Sequence, residues 1–290
     1  MAGQTKPAGL YGLRVLSLES RRAAEMAKLI ENHGGRPIVA PSMREVPLAS
    51  NTEALAFGRA LAAQELDIVI FLTGVGTRAL TRVVGTAYPV EEFARSLRKV
   101  GVVARGPKPV AALRKLDVPV TLAVPEPNTW RDLLRALDEN RVLLPLAGRR
   151  VAVQEYGASN PELLAGLAER GALVMRVPVY QWALPEDLGP LRAAVEAIAR
   201  AEIDMALFTT SIQVVHLLQV AREMNREQEL RRGFAGIVVG SIGPVTSEEL
   251  RAQGFHVDFE PTHPKMGFLV NEATQHAGAM LGKRRRGRST

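Results

Sequence analysis

Small hydroxyl residues, glycines and arginines recur where the short apolar runs of this sequence stop. Ser20 and Arg21 follow Arg14-Val15-Leu16-Ser17-Leu18, Thr73 and Gly74 follow Ile68-Val69-Ile70-Phe71, and Arg105 and Gly106 follow Val100-Gly101-Val102-Val103. The second half repeats the theme with Tyr156, Gly157 and Ser159, with Thr209, Thr210 and Ser211, and with Ser241 and Gly243. Such residues supply hydroxyls, open backbone N–H groups and a few positive charges, which together hold an anion at the start of a helix. Each hydroxyl taken singly is also an ordinary helix cap, so the functional weight lies in their number. The set contains no carboxylate dyad and no serine–histidine pair; the nearest carboxylates, Glu19 and Glu155, fall in different halves. A carboxylate-rich ligand suits this chemistry.

The stretch Ile242-Gly243-Pro244-Val245-Thr246 reads as strand, tight turn and helix start. Thr246 stands three residues before Glu249, which is capping-box spacing, so Thr246 is expected as the N-cap. A second Gly-Pro turn, Gly106-Pro107, lacks the hydroxyl. None of the five histidines has the paired spacing of a metal site, and only His263, beside Lys265, falls near the candidate positions. Lys265 therefore joins them. Gly74-Val75-Gly76 is too short for a dinucleotide fingerprint, and no phosphate-loop Gly-Lys-Thr/Ser occurs. Tyr180 and Trp182 alternate on one side of an extended segment, where a buried tyrosine hydroxyl needs a partner.

These residues are positioned by alternating strand and helix patterns, which imply an α/β fold with mostly parallel sheets. The pattern also repeats. Gly12 to Glu19 aligns with Gly148 to Glu155 at a shift of 136, while Asp67 with Asp204, Thr73 with Thr210 and Gly106-Pro107 with Gly243-Pro244 align at 137. Two similar lobes follow. The proline-bearing extended segments Ile38 to Val46 and Val174 to Tyr180 read as connectors crossing between them.

The chain has 290 residues, 47% hydrophobic and 23% charged, a globular composition. Without cysteine it can form no disulfide, thiolate metal site or cysteine nucleophile, and it fits a reducing cytosol. No signal-peptide pattern or membrane-length apolar run appears, so a soluble cytoplasmic protein is expected. The net charge is +7, but Lys283, Arg284, Arg285, Arg286 and Arg288 contribute five positives at the end of the chain, leaving the body nearly balanced. With 5% aromatic residues and no aromatic–basic interleaving, no specific nucleic-acid partner is expected.

Three stretches make the sequence resemble the uroporphyrinogen-III synthase family: Val179-Tyr180-Gln181, Phe208-Thr209-Thr210-Ser211, and Ile242-Gly243-Pro244-Val245-Thr246 with Ala252-Gln253-Gly254. Ile70-Phe71-Leu72-Thr73 and Gly106-Pro107 are looser counterparts. The resemblance implies two flavodoxin-like parallel-sheet domains joined by a two-stranded connection. One domain is discontinuous (1–42 and 178–282), the other is inserted (43–177), and 283–290 form a basic disordered tail. It further implies a monomeric hydro-lyase of porphyrin and heme biosynthesis. Such an enzyme cyclises hydroxymethylbilane to uroporphyrinogen III in the cleft between the domains, inverting the last pyrrole ring and losing water, with no cofactor or metal. Tyr180 matches the family tyrosine favoured as proton donor, and Thr246 matches a hydroxyl position beside the Gly-Pro turn. The sequence departs from the family pattern at Trp182, where threonine is frequent, and at Thr73-Gly74-Val75-Gly76, where serine-proline is common. The residues themselves leave open a non-catalytic two-domain binding protein or sensor for a polycarboxylate metabolite.

Overall fold

The computed structural model describes residues 9–46, 48, 50–155, 157 and 159–287, the side chains of 279 and 281–287 excepted. It contains two compact units, Met1–Arg44 with Leu184–Thr290, and Glu45–Ala183. The chain begins with β1 (Arg14–Ser17), α1 (Ala23–Asn32) and β2 (Arg36–Val39), then β3 (Arg44–Val46). The inserted unit continues through α2 (Thr52–Ala62), β4 (Ile68–Phe71), α3 (Gly74–Val84), α4 (Val90–Leu97), β5 (Gly101–Ala104) and α5 (Pro107–Arg114). It ends with β6 (Leu122–Ala123), α6 (Trp130–Glu139), β7 (Arg150–Gln154), α7 (Pro161–Glu169), β8 (Leu173–Val177) and β9 (Gln181–Ala183). The first unit is completed by α8 (Gly189–Ala199), β10 (Met205–Phe208), α9 (Ser211–Glu223), α10 (Glu227–Phe234), β11 (Val238–Ser241), α11 (Pro244–Ala252) and α12 (Met266–Gly287).

Both large sheets are parallel. The discontinuous unit has strand order β11-β10-β1-β2, extended beyond β11 by a parallel bridge from Gly240 to Phe259. The inserted unit has order β6-β5-β4-β7-β8. Counted from the strand that opens each βαβ pair, both follow the flavodoxin-like order 2-1-3-4-5. Successive strand residues face opposite cores, which is why the strands read as continuous apolar runs. Val69, Phe71, Val102 and Ala104 face one core with α2 to α5, while Ile68, Ile70, Val103 and Val153 face another with α6 and α7. In the other unit Leu16, Ala206 and Phe208 pack under α8 to α11, and Val15, Met205 and Leu207 under α1 and α12.

The sheets do not follow the sequence repeat. β1-α1-β2 from the first repeat joins β10 and β11 from the second, and β7-α7-β8 from the second joins β4, β5 and β6. A repeated acidic clamp secures each joint. Asp204 accepts hydrogen bonds from Arg14 N–H (2.7 Å) and from the Arg14 guanidinium (3.2 Å) at the start of β1. Its repeat partner Asp67 accepts from Arg150 N–H (2.8 Å) and Arg149 Nη1 (3.2 Å) at the start of β7.

Several sequence expectations are corrected. Ile38 and Val174 do not lie in connectors. They belong to β2 and β8, edge strands of the main sheets, and Pro37 is accommodated because β2 has a single neighbour. The two-stranded ladder is β3 with β9. Thr246 is not an N-cap: α11 begins at Pro244 with Gly243 as cap and no capping side chain. A complete capping box forms instead at Thr129 and Asp132, heading α6. Helices α4 and α10, of eight residues each, went unread in the sequence although each is amphipathic, burying Phe93, Ala94 and Leu97 in α4 and Leu230 and Phe234 in α10. The backbone of 283–287 is the end of α12, and 288–290, the rest of the expected basic tail, lie outside the described residues.

Candidate functional site

In a doubly wound sheet the strand order reverses between the first and third strands, and the carboxyl ends of those strands leave a crevice between their outgoing connections. In the discontinuous unit these strands are β1 and β10. Glu19, 9% exposed, follows β1, and Thr209 follows β10. The Thr209 hydroxyl donates to Glu19 Oε2 at 2.5 Å and accepts from Gln213 Nε2 at 2.9 Å. Thr209 N–H donates to Gln213 Oε1 (2.8 Å), and Arg22 N–H donates to Glu19 Oε1 (3.2 Å). A hydroxyl has one proton, so Thr209 is committed to this network and holds the turn that starts α9. Thr210 is the cap residue of α9 and makes no capping bond, and Ser211 is the first residue of the helix. Their half-buried hydroxyls and the first N–H groups of α9 make the adaptable polar surface here.

In the inserted unit the reversal lies between β7 and β4. Thr73 N–H donates to Gln154 Oε1 (3.4 Å), and the Thr73 hydroxyl accepts from Gly76 N–H (3.0 Å), capping α3. Glu155, 4% exposed, accepts from the Ser159 hydroxyl at 2.6 Å. It also accepts from Arg176 Nε (3.1 Å) and Nη2 (3.0 Å), both on Oε2. Arg176 leaves 55% of its side chain exposed while compensating a buried carboxylate. Tyr156 lies outside the described residues.

The Gly-Pro turns are structural twins. Gly106 (φ 161°, ψ −171°) caps α5 and Gly243 (φ 166°, ψ −176°) caps α11, each followed by proline at the first helical position. Ser241 is fully buried and donates to the Gly243 carbonyl at 3.0 Å, so its proton too is used inside its own turn. Thr246, 3% exposed, sits in the first turn of α11. Arg105 is half-buried after β5, with its N–H on the Phe71 carbonyl at 3.0 Å.

Of the remaining candidates, Ser20 and Arg21 belong to the connection that leaves β1 at the switch point, whereas Lys265 and Tyr180 do not follow a switch-point strand. Ser20 accepts from Met43 N–H (3.2 Å), Arg21 is exposed, and Lys265 is exposed just before α12. Tyr180 is 6% exposed, in the core formed with Val177 and Val179. Its carbonyl accepts from Gly157 N–H at 3.2 Å, which ties it to the loop carrying Glu155 and Ser159.

Sequence reasoning passed over Gln154, Gln213 and Arg176 and left Glu19 and Glu155 without a role. Gln213 had a readable signal, standing three residues after Thr210 with capping-box spacing at the start of α9. Among the described residues no group of three or more His, Asp or Glu side chains could hold a metal ion, and no helix is long and apolar enough to cross a membrane.

The sequence model of a family described as "Uroporphyrinogen-III synthase HemD" matches residues 24–271. A Bacillus subtilis (strain 168) protein, "Uncharacterized protein YjjA", is 32% identical over 269 residues, covering 92% of this chain and 97% of its own. A "Putative uroporphyrinogen-III synthase" of Methanothermobacter thermautotrophicus is 32% identical over 236 residues, covering 80% of this chain and 86% of its own. Among solved structures, a mutant uroporphyrinogen III synthase of the extremely thermophilic bacterium Thermus thermophilus superposes with a TM-score of 0.69 at 27% identity, covering 92% of this chain and 98% of that one. The Helicobacter pylori 26695 enzyme, at 15% identity and a TM-score of 0.50, shares the fold. With the family model spanning most of both sheets and the doubly wound order present in each unit, the chain belongs to the uroporphyrinogen-III synthase family, whose enzymes are cyclising lyases.

Proposed function

We propose that this chain is itself a synthase that cyclises hydroxymethylbilane to uroporphyrinogen III, inverting the last pyrrole ring and releasing water. The supporting observation is that each unit presents a switch point flanked by helix N-termini: α9 and α11 in one, α3 and α5 in the other. A substrate bearing eight carboxylates is suited to N–H groups at several helix starts. Thr210, Ser211, Thr73, Gly106 and Gly243 are the contacts favoured by this geometry. Thr209, Ser159 and Ser241, whose protons are already donated, shape the edges instead.

The chemistry asks little of the protein beyond an acid and good positioning. The pyrrole nitrogen lone pair expels the terminal hydroxyl, which leaves as water on taking a proton from Tyr180. The resulting cation is attacked by the substituted carbon of the last ring to give a spiro intermediate. Reopening and closure in the inverted sense release a proton that restores the phenol. Holding the chain so that the substituted carbon reaches the cation is the larger part of the specificity.

The deciding experiment supplies freshly generated hydroxymethylbilane and separates the ring isomers. Uroporphyrinogen III is the expected product; only uroporphyrinogen I, the spontaneous product, would overturn the reading. One observation favours a second reading, a binding protein or sensor for a polycarboxylate: Tyr180 is 6% exposed, and a binder needs no accessible acid. Saturable product binding with no isomer III formed would establish that alternative.

A further inference from the structure

We infer that Trp182 is a positioning residue whose indole, seated on the Gly157 backbone, holds Tyr180 in place for proton transfer. The inference rests on the synthase reading above. Gly157 has φ +62°, the left-handed region that favours glycine. A Cβ at this position would lie 1.7 Å from Trp182 Nε1 and 1.8 Å from its Cδ1, so the indole occupies the space that any other residue would fill. The two segments are also joined through the backbone. Gly157 forms a parallel bridge with Gln181, its N–H donates to the Tyr180 carbonyl (3.2 Å), and Trp182 N–H donates to the Gly157 carbonyl (3.4 Å).

The Tyr180 ring closes the arrangement. It meets the indole edge-on, with ring centroids 5.4 Å apart and planes at 82°. Its backbone is held by Gly157, its ring by Trp182, and Trp182 by the bare backbone of Gly157. On either side of Gly157, the Ser159 hydroxyl donates to Glu155 Oε1 at 2.6 Å. A phenol that must deliver a proton has to sit within about 0.5 Å of its productive place, and its neighbours set that precision. Truncating the indole opens a cavity beside the ring without touching the anion-holding helix starts. The loss should therefore fall on the chemical step rather than on binding.

The test measures isomer III formation from hydroxymethylbilane by wild type, Trp182→Phe, Trp182→Ala, Tyr180→Phe and the double variant Tyr180→Phe/Trp182→Ala. Amide exchange at Gly157 is followed on the same proteins. Trp182→Ala should lower kcat by about ten- to a hundred-fold, the range of an ångström-scale misplacement, with KM within about two-fold. Trp182→Phe should recover most of the rate, and Gly157 exchange should quicken in Trp182→Ala but not in Trp182→Phe. In the Tyr180→Phe background the same truncation should have no further effect, because its only route is through the phenol. An unchanged kcat, an equal loss in the Tyr180→Phe background, or unchanged Gly157 exchange would overturn the inference. Failure of the synthase reading is separate and visible first, as a wild-type protein that yields only the spontaneous isomer; the positioning role then falls with it.

Discussion

Tyr180 brings together two demands on one side chain: an apolar ring packed in a core and a hydroxyl asked to give up a proton. Phenylalanine separates them. Tyr180→Phe keeps the ring and its edge-on contact with Trp182 while deleting the acid, so the stability change should stay within about 0.5–1.5 kcal/mol, the contribution of one hydrogen bond. Turnover should drop about 100-fold, a typical contribution of a general acid, with product affinity within about three-fold of wild type. Steady-state rates beside product titrations decide it, and an unchanged turnover removes Tyr180 from the chemistry. His216 carries a different residue-scale consequence. Its Nδ1–H donates to the Ser42 carbonyl at 2.7 Å in a site only 5% exposed. Burial pushes the imidazole below its usual 6.5, and the Ser42 carbonyl opposes that shift more weakly. The folded state thus resists protonation that the unfolded chain accepts. Stability is fully present above about pH 6.5, the unfolded value, and is lost as pH falls from there through the lower folded value. Urea denaturation from pH 8 to pH 5 should show this slope in wild type and a flatter one in His216→Asn, which keeps a donor but does not titrate. Equal slopes would assign the acid sensitivity elsewhere. The residue types at the strand ends were readable from sequence, but their proton bookkeeping was not. Thr209 reads as an available hydroxyl until Glu19, 190 residues away, is seen to accept its proton.

At the scale of elements, the strands were legible because both faces of each sheet are buried, and most helices because they follow a strand and a turn. The misreading at Thr246 came from giving capping-box spacing precedence over proline. Pro244 at the first helical position places the cap on Gly243, ahead of any cap that Thr246 and Glu249 could form. The two kinds of glycine at helix starts then make opposite predictions. Gly74 lies where an added Cβ would be 2.5 Å from the Lys108 carbonyl oxygen, with α3 against α5, and backbone cannot swing aside. Gly74→Ala should cost about 1–3 kcal/mol in urea denaturation, as overpacking does. Gly243 has extended backbone that any residue adopts, and its added Cβ meets only Pro264 Cβ, at 3.6 Å. Gly243→Ala should shift stability by less than about 0.5 kcal/mol. If the start of α11 takes a substrate carboxylate, the new methyl should raise KM several-fold. A Gly243→Ala enzyme with wild-type KM would clear that helix of substrate contact.

At the scale of the whole molecule, the repeat was visible in sequence and the exchange of its first βαβ segments was implied only by family resemblance. Local periodicity says that Arg14–Ser17 is a strand; it does not say which sheet will accept it. The acidic clamps carry that information. Asp204 and Asp67 align in the repeat, yet each grips an arginine-bearing strand contributed by the other repeat. They differ in burial: the Asp204 side chain is 4% exposed and that of Asp67 30%. Asp204→Ala removes a buried acceptor from the part-buried Arg14 N–H and should cost about 2–3 kcal/mol, whereas water can replace the more exposed Asp67 and the loss there should be about 1 kcal/mol. The two tryptophans, Trp130 and Trp182, both lie in the inserted unit, and among the described residues each hydrophobic core cluster draws on one unit. Tryptophan fluorescence therefore follows the inserted unit, while far-UV circular dichroism follows both. Asp204→Ala should lower the dichroism midpoint of one transition and leave the fluorescence midpoint in place; Asp67→Ala should lower the fluorescence midpoint. If Asp204→Ala moves the fluorescence midpoint as far as the dichroism, the exchanged segments stabilise the chain as one cooperative body and the clamps are not local devices.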